Sequence, residues 1–169
     1  MTRWRSSGIV RLAAFVCALW LGTDECRAAG EFHARVYRII DGDTVELRYD
    51  GRMQMARLRG IDAPELKQPY GPQAKRAVAA MVTGMVVRIR PYGTDKGGAV
   101  QVDIILQSGR SVSRSLLQEG FAWRRPDAAP DFDLEAAEAD AQYSHRGLWS
   151  EPNPTAPWVY RASKSHARR

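Results

Sequence analysis

From residue 33 onward, apolar positions recur with two different periods, and the switches between them mark out the elements. His33 to Ile40 is rich in Val and Ile, and Asp41-Gly42-Asp43 follows as a turn. Thr44 to Tyr49 alternates strictly, with Val45, Leu47 and Tyr49 on one side and Glu46 and Arg48 on the other, as a half-buried strand does. Asp50-Gly51 is a two-residue hairpin signal, and Met53 to Ile61 follows as a third strand of a meander. Asp62-Ala63-Pro64-Glu65 breaks the pattern, because Pro64 has no N–H to give a ladder. A helical period opens at Pro72, runs through Ala74, Val78 and Met81, and stops at Gly84. Val86 to Arg90 and Val100 to Leu106 read as two further strands around a Gly-rich turn, and Ser108-Gly109 closes another hairpin. Val112, Leu116 and Leu117 mark a second helix ended by Gly120; a third spans 131–146, with Phe132, Leu134, Ala136, Ala137, Ala139 and Tyr143 at helical spacing before Gly147.

Five short strands with a helix between the third and fourth is the order of an OB-type barrel, so the expected fold is mainly β with α (α+β), a five-stranded barrel with three helices. Such barrels often bind oligonucleotides, but a fold does not fix a function. Beyond Trp149 the chain turns Pro-rich and then basic, with Arg161, Lys164, Arg168 and Arg169. Residues 151–169 are therefore expected to form a poorly ordered tail to a domain over 31–150.

The first thirty residues change the picture. Arg3, Arg5 and Arg11 precede an apolar run from Leu12 to Leu21, and Ala28, Ala29 and Gly30 supply small residues for cleavage. That is the pattern of an export signal over 1–30, with a run too short for a bilayer, which needs about 20 residues. The protein is expected to be secreted or periplasmic, with an uncleaved N-terminal anchor as the alternative, no membrane association in its mature form and no obligate protein partner. Both cysteines, Cys17 and Cys26, fall within the signal, which excludes a disulfide framework and cysteine-bound zinc in the remainder. The whole chain carries a formal charge of +6; losing residues 1–30 removes four arginines and two acids, leaving +4. A basic chain favours an anionic partner but names no chemistry.

Chemistry enters with the acids. In a meander the third strand returns to where the second began, so Asp43 and Asp62 are brought to one end of the sheet. Two carboxylates close together repel unless a cation lies between them, and all-oxygen ligation suits a hard cation such as calcium; the Ala63 carbonyl is a candidate third donor. Glu65, three residues past Asp62, is near enough to act on a water as general base. Arg57 precedes Asp62 by five residues, an odd separation that sets the two side chains on opposite faces of an ideal strand unless a bulge intervenes. On strand arithmetic Arg59 competes with it.

The stretches Val36-Tyr37-Arg38-Ile39-Ile40-Asp41-Gly42-Asp43-Thr44 and Arg57-Leu58-Arg59-Gly60-Ile61-Asp62-Ala63-Pro64-Glu65 resemble the two signatures of the thermonuclease (staphylococcal nuclease-like) family. The resemblance continues through Tyr70-Gly71-Pro72, Leu116 to Ala122 and Gly147-Leu148-Trp149, covering residues 33 to 160. It implies a calcium-dependent phosphodiesterase acting on single-stranded DNA and RNA. Asp43, Asp62 and the Ala63 carbonyl would hold the ion, Glu65 would activate water, and Arg57 would be one of two arginines gripping the phosphate. The second arginine is missing: its stretch reads Asp95-Lys96-Gly97-Gly98-Ala99, with Ala99 at the arginine's position. Lys96 is the candidate substitute, with Arg88 and Arg90 on the preceding strand as other donors. Trp123, Arg124 and Arg125 are the candidate base-stacking surface. The loss at Ala99 motivates a second reading, a catalytically weak OB module that binds nucleic acid or another anion.

Overall fold

The alternating segments close on themselves because each has one apolar face to bury and no second layer of sheet to bury it against. The structure, a computed structural model, describes residues 30–166; the expected export signal lies outside the described residues apart from Gly30. Five strands form a closed barrel: β1 (Phe32–Ile39), β2 (Thr44–Tyr49), β3 (Arg52–Leu58), β5 (Val86–Thr94) and β6 (Val100–Ile105), in spatial order β1-β2-β3-β6-β5. Every junction is antiparallel except β3 with β6, where Ala56, Arg57 and Leu58 run parallel to Val100, Gln101 and Val102. Val36, Val45, Ala56, Ile89, Val102 and Ile104 are fully buried inside. Each of the Val and Ile side chains contributes about 1.5–3 kcal/mol by leaving water.

Helix α1 (Gly71–Val82) follows the third barrel strand, as expected, and adds Ala74, Val78 and Val82 to the core. Helices α2 (Val112–Gln118) and α3 (Phe132–Tyr143) pack on each other and on the barrel, and Leu116, Leu117 and Leu134 join the same cluster. Their starts are capped by side chains, Ser111 accepting from the Arg114 N–H and Asp131 from the Leu134 N–H. Each cap is worth about 1 kcal/mol.

Two expectations change. The third strand stops at Leu58 instead of running to Ile61, since Gly60 takes a left-handed φ of 78° that no ladder accommodates. Ile61–Asp62 then forms a separate short strand, β4, antiparallel to β7 (Trp123–Arg124). In the segment expected to be a poorly ordered tail, a fourth helix, α4 (Pro157–His166), forms after a 3₁₀ turn at Gly147–Ser150. Pro157 opens it, where a missing N–H costs nothing. It is tied down by the Tyr160 hydroxyl on the Lys67 carbonyl at 3.2 Å and by the Gln68 side-chain amide on the Thr155 carbonyl.

Candidate active site

The Asp41-Gly42-Asp43 turn is built by its own side chains. Asp41 Oδ1 accepts the N–H groups of Asp43 (3.0 Å) and Thr44 (2.8 Å), a local turn that only a short acid or amide makes well. Gly42 is needed for space: a Cβ there would stand 2.6 Å from the Cβ atoms of both Ala63 and Ala74. That close approach lets the turn press against the end of the second signature and against α1. The Ala63 N–H donates to Asp43 Oδ2 at 3.1 Å, and the Thr44 hydroxyl donates to Asp43 Oδ1 at 2.7 Å.

Asp43 and Asp62 are both buried, and both line a cleft of about 480 Å³ that also takes in Asp41, Arg57, Ala63, Glu65, Arg125, Asp127, Trp158 and Arg161. The convergence expected of a meander is therefore seen, although the route differs: the chain turns at Gly60 and reaches Asp62 on β4. This turn also removes the parity objection to Arg57, because alternation does not carry across a broken strand. Arg57 lies in the cleft, with Nη1 on Asp95 Oδ2 at 3.0 Å and Nε 3.9 Å from Asp43 Oδ1. Arg59 points elsewhere, over the Tyr92 ring at 4.2 Å and 3.9 Å from Asp131.

Burial, and then the nearby Asp41 carboxylate, drive the Asp43 carboxyl up to about 7, with Asp62 adding a smaller push; the bonds from Thr44 and Ala63 act the other way. Arg161 reaches in from α4. Its Nη1 and Nη2 clasp Asp62 Oδ1 and Oδ2 at 3.0 and 2.6 Å, and Nη1 also meets Glu65 Oε1 at 2.9 Å. These bonds, Asp62 first, raise the guanidinium's hold on its proton, against partial burial. Arg125, also in the lining, forks onto Asp127 at 2.9 and 2.6 Å. The lining thus has five carboxylates (Asp41, Asp43, Asp62, Glu65, Asp127) and three guanidiniums (Arg57, Arg125, Arg161), a formal −2.

The sequence model of the staphylococcal nuclease homologue family matches residues 55–151. An uncharacterized endonuclease of Escherichia coli is 32% identical over 134 residues, covering 79% of this chain and 88% of that protein. Protein ParB of Escherichia coli is 33% identical over 174 residues, covering 97% of each. Micrococcal nuclease of Shigella flexneri is 29% identical over 150 residues, covering 83% of this chain and 86% of that protein. The chain belongs to the staphylococcal nuclease homologue family.

Of the remaining candidates, all but Arg125 fall outside the cleft. Ala99 is buried and uses its N–H on Asp95 Oδ1 at 3.0 Å, so the position expected of the second arginine offers no donor side chain. Lys96 is exposed on the same turn and does not line the cleft. Arg88 and Arg90 pair with Glu31 at 3.3 and 2.6 Å. Trp123 packs edge-on against Trp149 and Trp158, with centroids 4.3 and 5.9 Å away, so its rings serve packing. Arg124 is drawn to α3, where Glu135 lies at 3.2 Å. Their neighbour Arg125, one residue on, faces the cleft instead.

Sequence reasoning passed over Trp158 and Arg161, which it assigned to the tail. The signal was present: Pro157 as a helix opener, followed by Trp158 and Arg161 at i, i+3 spacing, which places both on one helix face.

The donor chemistry suits a hard cation, since Asp43 and Asp62 offer carboxylate oxygens and the cleft has uncompensated negative charge. Among the described residues no three His, Cys, Asp or Glu side chains cluster tightly enough to cage a metal alone. An ion held here would have to complete its coordination with water and substrate oxygens, as hard cations at phosphate sites commonly do.

Proposed function

We propose that this protein is an exported, calcium-dependent nuclease that hydrolyses phosphodiester bonds in single-stranded DNA and RNA. Family membership makes it a phosphodiesterase of the thermonuclease type and supports nucleic acid as the substrate. The observation that carries the finer reading is the meeting of Asp43, Asp62, Glu65 and Arg57 around one acidic cleft. Export rests on the basic start and apolar run of residues 1–30.

Each side chain has work suited to its chemistry. Asp43 and Asp62 would hold the cation, which on binding supplies positive charge to a phosphate oxygen in the transition state. The Arg57 guanidinium, exposed enough to be reached, offers forked donors to the same phosphate. Glu65, partly exposed at the cleft edge, accepts the proton of the attacking water. The water oxygen bonds to phosphorus, the bond to the leaving sugar oxygen breaks, and that oxygen is protonated by solvent. The buried Ala99 favours the rival reading, a barrel that binds without turnover.

One experiment separates them. The chain from residue 31 onward is assayed on fluorescent single-stranded DNA and RNA with calcium, with magnesium and with chelator. Calcium-dependent cleavage supports the nuclease. Salt-sensitive binding with no turnover at high protein concentration would sink it in favour of the binding module.

A further inference from the structure

We infer that Arg161, delivered by α4, is the second phosphate-gripping arginine of this enzyme and takes over the role left open at Ala99. The inference rests on the nuclease reading and concerns which residues complete it.

Its place is the argument. The Arg161 guanidinium lies within 3.0 Å of both Asp62 and Glu65, one a candidate cation ligand and the other the candidate base. A phosphate that touches the cation on one side and receives water from Glu65 on the other must lie beside those two carboxylates. Arg161 is within hydrogen-bond reach of that position without any movement of the backbone. The bonds to Asp62 and Glu65 use Nη1 and Nη2 in three contacts, and a guanidinium has five N–H donors, so its fork is not exhausted. When a cation shares Asp62, its charge weakens that carboxylate's claim on Arg161, and donors turn toward the phosphate.

The other basic candidates are worse placed. Lys96, Arg88 and Arg90 do not line the cleft. Arg125 does, but its bonds in the cleft go to Asp127, whereas those of Arg161 go to Asp62 and Glu65, the candidate cation ligand and the candidate base. Arg161 is also held by more than its own charge pairs. Tyr160 bonds the Lys67 carbonyl, and Gln68, whose Oε1 takes the Glu65 N–H, also reaches the Thr155 carbonyl. The loop that carries Glu65 is thus fastened to the segment that carries Arg161.

The same contacts fit a rival role, in which Arg161 plugs the cleft by neutralising Asp62 until a cation displaces it. The two roles predict opposite signs. In the test, parent, Arg161→Ala, Arg161→Lys and Lys164→Ala proteins are compared for kcat and KM on single-stranded DNA at saturating calcium. The dinucleotide TpT is titrated in parallel through tryptophan fluorescence. Lys164→Ala removes a charge from the same helix outside the cleft and should leave kcat unchanged. Arg161→Ala should lower kcat by about a hundredfold or more and weaken TpT binding. Arg161→Lys should recover only part of the loss, because an ammonium lacks the planar fork, and guanidinium ion added to Arg161→Ala should restore rate. Melting temperatures exclude loss by unfolding.

An Arg161→Ala enzyme as fast as the parent, or faster, overturns the inference, the second result pointing to the plug. A parent that cleaves nothing under any cation sinks the nuclease reading instead. Even then TpT binding is decisive: undiminished affinity in Arg161→Ala refutes the phosphate contact.

Discussion

Asp43→Asn should stabilise the protein while removing a candidate ligand, and the size of the effect follows from the burial of Asp43. Its carboxyl is driven from the usual aspartate value of about 3.9 up to about 7, chiefly by burial and then by Asp41. That is roughly 3 units at 1.36 kcal/mol each, so ionising Asp43 in the folded protein costs up to about 4 kcal/mol. The amide carries no charge, keeps an acceptor for the Ala63 N–H, and turns its NH₂ to Thr44, whose hydroxyl can reverse and accept. With the neighbouring acids relaxing in the parent, about 2 kcal/mol of net gain is expected, or roughly 6–10 °C in melting temperature for a domain of this size.

The sign with pH follows from linkage. Because the folded-state value is raised, the neutral acid's stability is fully present below about pH 4 and is lost as pH rises toward 7. The advantage of Asp43→Asn in chelator should therefore be largest above pH 7 and shrink steadily toward pH 4. Adding calcium should raise the parent's melting temperature and leave the variant's nearly unchanged, since only the parent retains both carboxylates. Thermal unfolding at pH 5 and pH 8, each with chelator and with calcium, measures all four quantities. A variant no more stable than the parent at pH 8 in chelator, or an advantage equal at both pH values, would refute the reasoning.

Three further outcomes are expected. Glu65→Gln should lower kcat on single-stranded DNA by about 10²–10⁴ with little change in substrate binding; an unaltered kcat removes Glu65 from the role of base. Gly42→Ala places a methyl 2.6 Å from two others and should cost about 1–3 kcal/mol in chemical denaturation, with a midpoint equal to the parent's showing that the turn has room after all. Ala99→Arg should give no hundredfold gain in rate and should lower stability, because that side chain is buried; a hundredfold gain would show that the cleft lacks a guanidinium which Arg161 does not supply.

The barrel was legible because alternation in Thr44–Tyr49 and the Asp50-Gly51 turn are local signals, and local signals suffice for hairpins. Asp43, Asp62 and Glu65, three of the cleft's five carboxylates, were legible because chain reversal brings strand ends together whatever the finer geometry. The end of β3 was not: apolar residues continue to Ile61, and only the left-handed Gly60 separates two strands that look like one. That single turn also accompanies a split that strand parity could not resolve, with Arg57 in the cleft and Arg59 over Tyr92 outside it. Arg161 was hidden for a different reason. A Pro-rich, basic C-terminal stretch has the composition of a solvated tail, and what orders it lies almost a hundred residues earlier, in Asp62, Glu65, Lys67 and Gln68.

The charge distribution couples cation to substrate. The chain beyond residue 30 is basic, with an excess of four positive charges, which draws a polyanion toward it from any direction. The cleft itself runs the other way, with five carboxylates against three guanidiniums. A phosphodiester entering that cleft alone meets net repulsion, and its natural partners Arg57, Arg125 and Arg161 are each already held by an acid, Asp95, Asp127 and Asp62 respectively. A divalent cation would bring the lining to formal neutrality and compete for Asp62, freeing donors of Arg161 as it did so. The cation and the nucleic acid should then each raise the other's affinity, reciprocally and by the same factor. Arginines paired with acids in this way would make the site least receptive to phosphate when the cation is absent, so cation dependence follows from charge in the lining as much as from any bond the ion forms.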